Sequence, residues 1–201
     1  PDSYRFSNFL RAHLPRLAPR AHVVDVGTGA GVGAIAAARC MPEAYVTLTD
    51  INRGALRLAA INWMAGAFPF GGVMFKQGDG LSNVGDPQRP IDCIIANPPY
   101  IADPARRAYR DGGAMHGAEV SLAWARAAAE RLESGGAFLL YTGSAIVAGE
   151  DHLRAALREI LVDFDVNYHE IDPDVFGEEL ERDDYAGVER IAVVGVVATK
   201  H

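Results

Sequence analysis

A short apolar strand, residues 91–96, runs into the tetrapeptide Asn97-Pro98-Pro99-Tyr100, whose side chains suit one kind of chemistry. The Asn97 side-chain carbonyl accepts hydrogen bonds. The two prolines stiffen the backbone and remove two N–H donors, so the Pro98 carbonyl is displayed as a second acceptor. Tyr100 adds a flat aromatic face. Two acceptors beside a planar wall fit a planar –NH₂ group, in an amide or a nucleobase, and draw its nitrogen toward a pyramidal geometry whose lone pair can attack. A chance proline turn is the alternative.

A glycine-rich loop follows the first predicted strand and opens a helix. Several glycines let the backbone turn sharply and approach a ligand closely. Residues 29–34 fit the G-x-G-x-x-G/A dinucleotide pattern. However, the carboxylate of Asp25, two residues before Gly27, would repel a pyrophosphate. Asp50 ends the second strand, where its carboxylate can accept both hydroxyls of a ribose. The loop therefore predicts an adenosine-bearing cofactor, with a dinucleotide or a packing turn as alternatives. Its candidate residues are Asp25, Gly27, Thr28, Gly29 and Gly31.

Strand-like and helix-like segments alternate along most of the chain and must position these residues. Such alternation predicts parallel strands joined by right-handed crossovers, in a three-layer α/β sandwich. No helical pattern separates the last two strands, so we expect them to pair antiparallel, with the final strand inserted into a mostly parallel, seven-stranded sheet. Ligands of open α/β sheets bind at the carboxyl ends of strands, where both motifs stand. The predicted strands are residues 22–26, 45–49, 73–77, 91–96, 137–142, 164–170 and 191–199.

Composition describes a globular protein and excludes several function classes. The chain has 201 residues and a net charge of −7, from 19 basic and 26 acidic residues, which disfavours general binding to nucleic-acid phosphates but is compatible with one local basic patch. No run reaches the ~18 apolar residues of a membrane span. Cys40 and Cys93 have no C-x-x-C neighbour and the histidines lack ligand spacing, so we expect no metal site and a cytoplasmic protein. We expect one catalytic domain over residues 1–201, preceded by an upstream domain absent from this chain, since an initiator methionine is missing.

The motifs together carry a specific resemblance. Their order and spacing resemble those of class I S-adenosylmethionine-dependent methyltransferases, and the similarity covers essentially the whole chain. It points to the methyltransferase small domain branch, which includes HemK-like release-factor glutamine methyltransferases and has adenine amino-methyltransferases as cousins. The resemblance implies a Rossmann-like fold and S-adenosylmethionine as the cofactor. The matching residues are Asp25-Val-Gly-Thr-Gly-Ala-Gly31, Asp50, Asp79 and Asn97-Pro-Pro-Tyr100.

The resemblance implies a role for each matching position near the methionine and ribose parts of the cofactor. Residues 27–31 would pass beneath the methionine part, with Asp25 near its amino group. Asp50 would hold the ribose, and Ile51 would pack on the adenine. Residues 2–6 occupy the place where the family covers the cofactor; an amphipathic N-terminal helix is the alternative interpretation.

The resemblance also assigns the adenine and acceptor ends. Asp79 would lie at the adenine amine with Gly80 beside it, and Asn97 would bridge cofactor and substrate. HemK-like enzymes tend to carry an aromatic residue where this chain has Gly80. The wall against the adenine must therefore come from elsewhere, and Leu81 is the candidate.

Two segments depart from what a release-factor enzyme predicts, residues 111–117 and 172–180, and they leave the glutamine substrate open. The acidic stretch 172–189 lacks the residue order of a calcium loop, so we expect a solvated loop or a substrate lid. Its aromatic residues, Phe176 and Tyr185, are better lid candidates than its charges.

Four further residues follow the proline motif and have two interpretations each. Arg106, Arg107 and Arg110 suit a grip on an anionic substrate, or they form a solvated helix face. His116 could accept the released proton, or it is a structural residue.

The sequence hypothesis is a methyltransferase that acts on a planar amino nitrogen, with Asn97, Pro98, Pro99 and Tyr100 as catalytic candidates. A protein glutamine amide is the first acceptor to consider, and an adenine or guanine amine in RNA or DNA is the alternative. The partner is therefore a protein or nucleic-acid substrate, with no membrane involved. Two rivals from other classes are a nicotinamide-dependent dehydrogenase, resting on residues 29–34, and a non-catalytic scaffold.

Overall fold

The computed structural model describes residues 2–85, 89–107 and 110–201. The helices are α1 (Asp2–His13), α2 (Val32–Cys40), α3 (Arg53–Ala65), the short α4 (Ala114–Gly117), α5 (Glu119–Arg131) and α6 (His152–Ile160). The strands are β1 (His22–Val26), β2 (Tyr45–Asp50), β3 (Val73–Gln77), β4 (Cys93–Ala96), β5 (Ala137–Val147), β6 (Glu150–Asp151), β7 (Phe164–Asp172) and β8 (Val188–Lys200). Within the described residues, α-helices separate β1 from β2, β2 from β3, β4 from β5 and β6 from β7, whereas no α-helix lies between β3 and β4 or between β7 and β8.

The sheet runs in the order β3-β2-β1-β4-β5-β8-β7. The first five strands of this path pair in parallel, and β8 is antiparallel to both β5 and β7. This confirms the predicted sandwich and its inserted last strand. The two-residue β6 adds a short antiparallel bridge to the end of β5.

The register brings the carboxyl ends of the central strands to one edge. Val26 at the end of β1 is paired with Thr49 on one side and Ala96 on the other. Asp50 at the end of β2 is paired with Gln77 at the end of β3. The glycine loop, Asp50 and the proline motif therefore begin at the same level, although they are far apart in sequence.

Each face of the sheet is covered by its own set of helices. The strand β4 is buried on both faces, and its residues alternate between two cores as the period of a strand requires. Cys93 and Ile95 pack on the side of α1, α2 and α3, whereas Ile94 and Ala96 pack on the side of α5 and α6. The two cores hold the central strands rigidly beneath the cleft.

The strands β5 and β8 are both longer than the sequence predicts, because they pair with each other. The strands β5 and β8 pair over eleven positions, from Ala137 with Thr199 to Val147 with Val188, and so extend beyond the predicted residues 137–142 and 191–199. The long antiparallel partner satisfies backbone groups that the local pattern assigned to loops. Within the described residues, none of the helices is long and apolar enough to cross a membrane.

Candidate active site

The carboxyl ends of β1, β2, β3 and β4 open into one cleft of about 710 Å³. Small-molecule sites commonly measure roughly 300–1,000 Å³. Both groups of sequence candidates lie on its wall, so the structure brings the cofactor and acceptor candidates together. The candidates that line it are Asp25, Gly27, Thr28, Gly29, Asp50, Ile51, Asp79, Gly80, Asn97, Pro98, Pro99 and Tyr100.

The glycine loop needs its glycines for conformation and for close approach. Gly27, Gly29 and Gly31 have φ values of +63°, +54° and +86°, in the left-handed region that other residues rarely adopt. A Cβ on Gly27 would lie 2.3 Å from the indole of Trp124. Gly31 faces away from the cleft wall, and a Cβ there would lie 3.1 Å from the Cβ of Ala59 in α3. Gly31 therefore serves the packing of the loop on α3.

Asp25 is nearly buried at the floor of the cleft, with 2% of its surface exposed. Its Oδ2 accepts the Thr28 hydroxyl at 2.5 Å and the Ala34 N–H at 2.8 Å. Burial raises the pKa of Asp25 to about 6, although these two hydrogen bonds oppose the shift. The carboxylate thus organises the loop, and its ionised form would be stabilised by a cationic ligand in the cleft.

Asp50 is held by two backbone donors. Its Oδ2 accepts the Gly29 N–H at 2.9 Å, and its Oδ1 accepts the Asn52 N–H at 2.8 Å. These bonds orient the carboxylate at the rim where β1 and β2 end. Each oxygen keeps a further lone pair, so the group can still accept two hydroxyls of a ribose.

The far end of the cleft is closed by an aromatic residue that the sequence analysis missed. Trp124 projects from α5 and lines the cleft, and a Cβ on Gly80 would lie 3.5 Å from its Nε1. Leu81, the wall candidate from the sequence, is instead buried in the core on the α5 and α6 side. Ile51, on the same cleft, is 61% exposed, which leaves its side chain available to a flat ligand.

The proline motif forms the opposite wall. Asn97 and Pro99 are half-buried, and Pro98 and Tyr100 are buried. The Tyr100 ring lies against β5, so closely that a Cβ on Gly143 would be 2.3 Å from its Cδ2. Burial, together with the nearby Asp2 carboxylate, raises the pKa of Tyr100 far above its usual range. Tyr100 is therefore a neutral, fixed part of the wall.

The N-terminal helix covers the cleft from the side. Asp2, Ser3 and Phe6 of α1 line it. The buried Tyr141 of β5 donates its hydroxyl to the Asp2 Oδ1 at 2.6 Å. The segment is thus a helix that lies on the cleft, and its role as the cover of a bound cofactor stays a prediction.

The acidic loop is packed on the acceptor side, and its charges matter more than the sequence analysis expected. Phe176 lines the cleft, whereas Tyr185 is 1% exposed and accepts the Ala102 N–H at 2.8 Å. Glu179 is buried and binds the guanidinium groups of Arg110 and Arg182. The loop is therefore anchored through Glu179 and Tyr185 and adds Phe176 to the wall of the cleft, while most of its other residues are exposed to solvent.

Two of the three arginines after the motif, and the histidine, contact other side chains of the protein. Arg107 forms a bidentate pair with Asp103, at 2.6 and 2.8 Å. Arg110 is paired with the acidic loop, as described above. The His116 ring lies 6.0 Å from the ring of Tyr185. Of the three arginines, two are thus engaged within the protein.

Curated proteins of two kinds resemble this chain. A ribosomal RNA large subunit methyltransferase G from Pseudomonas putida is 42% identical over 90 residues, which is 44% of this chain and 23% of that protein. A release factor glutamine methyltransferase from Koribacter versatilis is 35% identical over 144 residues, 65% of this chain and 50% of that protein. The chain therefore spans between about a quarter and a half of the length of these relatives.

Solved structures with the same fold cover nearly the whole chain. TrmN from Thermus thermophilus has a TM-score of 0.64 at 22% identity, over 98% of this chain and 48% of that one. Geranyl diphosphate C-methyltransferase from Streptomyces coelicolor, solved with S-adenosyl-L-homocysteine, has a TM-score of 0.69 at 14% identity, over 97% of this chain and 77% of that one. At these identities the likeness shows the fold alone.

The sequence profile of one protein family matches residues 5–163. This range covers most of the chain and includes every strand-end motif of the cleft. The glycine cradle, the oriented Asp50 and the nearly buried Asp25 fit the cofactor of that family. The chain belongs to the methyltransferase small domain family, whose methyl donor is S-adenosylmethionine.

Proposed function

We propose that this protein transfers a methyl group from S-adenosylmethionine to a planar amino nitrogen held at Asn97 and Pro98. One observation carries the proposal: a single cleft is lined both by Asp50 with the glycine loop and by Asn97-Pro98-Pro99-Tyr100. A donor held on one wall would thus meet an acceptor on the other. The cofactor, when bound, supplies an electrophilic methyl group on a sulfonium.

The residues of the chain then act mainly by position. The side-chain carbonyl of Asn97 and the backbone carbonyl of Pro98 accept hydrogen bonds from the –NH₂ group that is to be methylated. These bonds localise the nitrogen lone pair, which then points toward the methyl group. Proximity and orientation supply most of the acceleration. Attack by a neutral nitrogen on a sulfonium disperses charge, so the cover by α1 helps by excluding water. A strong general base is unnecessary, because the proton leaves after attack.

We infer a protein glutamine amide as the acceptor. The net charge of −7 opposes the approach of RNA, and Arg107 and Arg110 are already paired with Asp103 and Glu179. A nucleobase amine is the second candidate, favoured by the similarity to enzymes named for ribosomal RNA.

Methyl transfer from labelled S-adenosylmethionine into separated protein and RNA pools tests this proposal. We expect label in protein; label confined to RNA would select the second candidate. Calorimetry with S-adenosylhomocysteine and NADH adds the test against other classes. NADH binding alone would indicate a dehydrogenase, and S-adenosylhomocysteine binding without any transfer would indicate a scaffold.

The proposal places the protein in the cytoplasm, where its substrates would be synthesised. The free thiols of Cys40 and Cys93 agree with a reducing compartment. Fractionation of cells with an antibody to the protein measures this directly.

A further inference from the structure

The loop between β7 and β8 places an aromatic ring at the acceptor end of the cleft. Phe176 is 37% exposed and lines the cleft beside the proline motif. Its ring centroid lies 6.0 Å from that of Tyr100. Its φ of +55° is left-handed, a conformation that costs a non-glycine residue roughly 1–2 kcal/mol and persists only where neighbours impose it.

Contacts on both sides of Phe176 impose this conformation. On one side, the buried Val175 donates its N–H to the Ile191 carbonyl at 2.8 Å. On the other side, the Glu179 N–H donates to the Phe176 carbonyl at 2.8 Å. Phe176 is thus the exposed apex between two anchored residues.

Glu179 is the anchor that joins this apex to the acceptor wall. Its carboxylate is buried, and each oxygen accepts from a different guanidinium, Arg110 on one and Arg182 on the other. Arg110 lines the cleft. Arg182 also donates to the Ala102 carbonyl at 2.8 Å, two residues after Tyr100. One buried charge therefore ties the loop to the chain segment that continues the proline motif.

We propose that Glu179 is a positioning residue for the methyl acceptor: by binding Arg110 and Arg182 it holds the Phe176 ring beside Tyr100 at the acceptor end of the cleft, where that ring packs against a flat acceptor group. This inference rests on the proposed function, since it concerns the acceptor end of the same cleft. It assigns the loop the selection of planar acceptors and gives it no part in holding the cofactor.

Bisubstrate compounds test the inference without requiring turnover. In each compound, the methyl position of S-adenosylmethionine carries a short linker to a ring amine, either flat aniline or cyclohexylamine, which is thicker. Calorimetry gives the ratio of the two Kd values, and the Kd of S-adenosylhomocysteine reports the cofactor half alone. We expect the wild type to prefer the flat compound by about tenfold, a difference typical of one aromatic contact.

Glu179→Gln keeps the side-chain size and removes the charge. We expect it to lose most of this preference while its Kd for S-adenosylhomocysteine stays within about twofold, a shift of under 0.5 kcal/mol. Glu178→Gln, at the exposed neighbouring position, is the matched control and should retain the preference. Phe176→Ala should lose the preference for the flat compound, and Phe176→Tyr should keep it. Because Phe176 is partly exposed, these two variants test the loop even if Glu179→Gln does not fold.

The outcomes separate the two proposals. No preference in the wild type, or an undiminished preference in both Glu179→Gln and Phe176→Ala, overturns the inference while cofactor binding stands. If Phe176→Ala loses the preference for the flat compound and Glu179→Gln keeps it, the role of Glu179 is overturned. Absence of S-adenosylhomocysteine binding to the wild type overturns the proposed function, and the inference falls with it.

Discussion

The indole of Trp124 in α5 lies directly over the backbone of Gly27 in the cofactor loop. A Cβ on Gly27 would be 2.3 Å from the Trp124 Cη2 atom, closer than any real Cβ contact. The loop after β1 and the helix that follows the proline motif therefore depend on each other. Five predictions test this contact and the other residues that build the cleft.

Gly27→Ala should destabilise the protein and abolish cofactor binding, because the added methyl group forces Trp124 or the loop to move. Gly29→Ala is the control: its φ is also positive, at +54°, yet a Cβ there meets no neighbour within 4 Å. We expect about 1–2 kcal/mol of destabilisation in Gly29→Ala from the backbone alone, and clearly more in Gly27→Ala. Urea unfolding measures both, and equal losses would contradict the role given to Trp124.

Asn97→Ala should lower kcat by about 10²–10³, the range found when one positioned hydrogen-bonding group at a reacting centre is removed. The Kd of S-adenosylhomocysteine should change little, because Asp50 and the glycine loop remain. Asn167→Ala, at an exposed position of β7, should have wild-type kinetics. A similar kcat for Asn97→Ala and the wild type would remove the proposed mechanism.

The ionisation of Asp25 should make cofactor affinity depend on pH. Its pKa is raised to about 6, and the cofactor's ammonium group favours the ionised form. The Kd of S-adenosylhomocysteine should therefore rise as the pH falls below 6, by up to about tenfold per pH unit. Asp25→Asn should bind more weakly, with a Kd that is constant over this range; an equally steep dependence in that variant would assign the effect to another group.

The same carboxyl group should affect stability in the opposite sense. Below pH 3.8, its ordinary pKa, Asp25 is protonated in both the folded and the unfolded chain. Between this value and about 6 only the unfolded chain ionises, so stability is lost as the pH rises, by roughly 3 kcal/mol in total. The difference in unfolding free energy between the wild type and Asp25→Asn should therefore fall from pH 4 to pH 7. A constant difference would contradict the raised pKa.

Tyr141→Phe should loosen the cover over the cleft. The lost hydroxyl donates to Asp2 at 2.6 Å, and hydrogen bonds to charged groups contribute roughly 1.5–3 kcal/mol, with less expected for a carboxylate that is partly solvated. We expect a lower Tm, faster amide exchange in α1 and faster release of S-adenosylhomocysteine. Tyr4→Phe, on the same helix but 78% exposed, should match the wild type. Unchanged exchange in α1 would show that this contact does not hold the helix.

Local patterns were sufficient for the type of most strands and for the order of the strand-end motifs, but they made β5 and β8 too short. The residues predicted for β1 and β3 are those observed, because each is a short run rich in apolar residues that ends at glycine-containing turns. The parallel pairing and the inserted antiparallel last strand were predicted from the connections, because helical crossovers join parallel strands, whereas β7 and β8 have no α-helix between them.

The sequence by itself thus determined the family and the mostly parallel sheet, and it predicted which strand ends line the cleft. Only the tertiary structure decided which distant side chains complete the cleft: Trp124 on Gly27, Tyr141 on Asp2, and Arg110 on Glu179. The last two pairs are separated by 139 and 69 residues. A periodic pattern reports the local conformation of the backbone, but a contact of this kind depends on where the whole sheet brings two loops, and no short stretch of sequence carries that information.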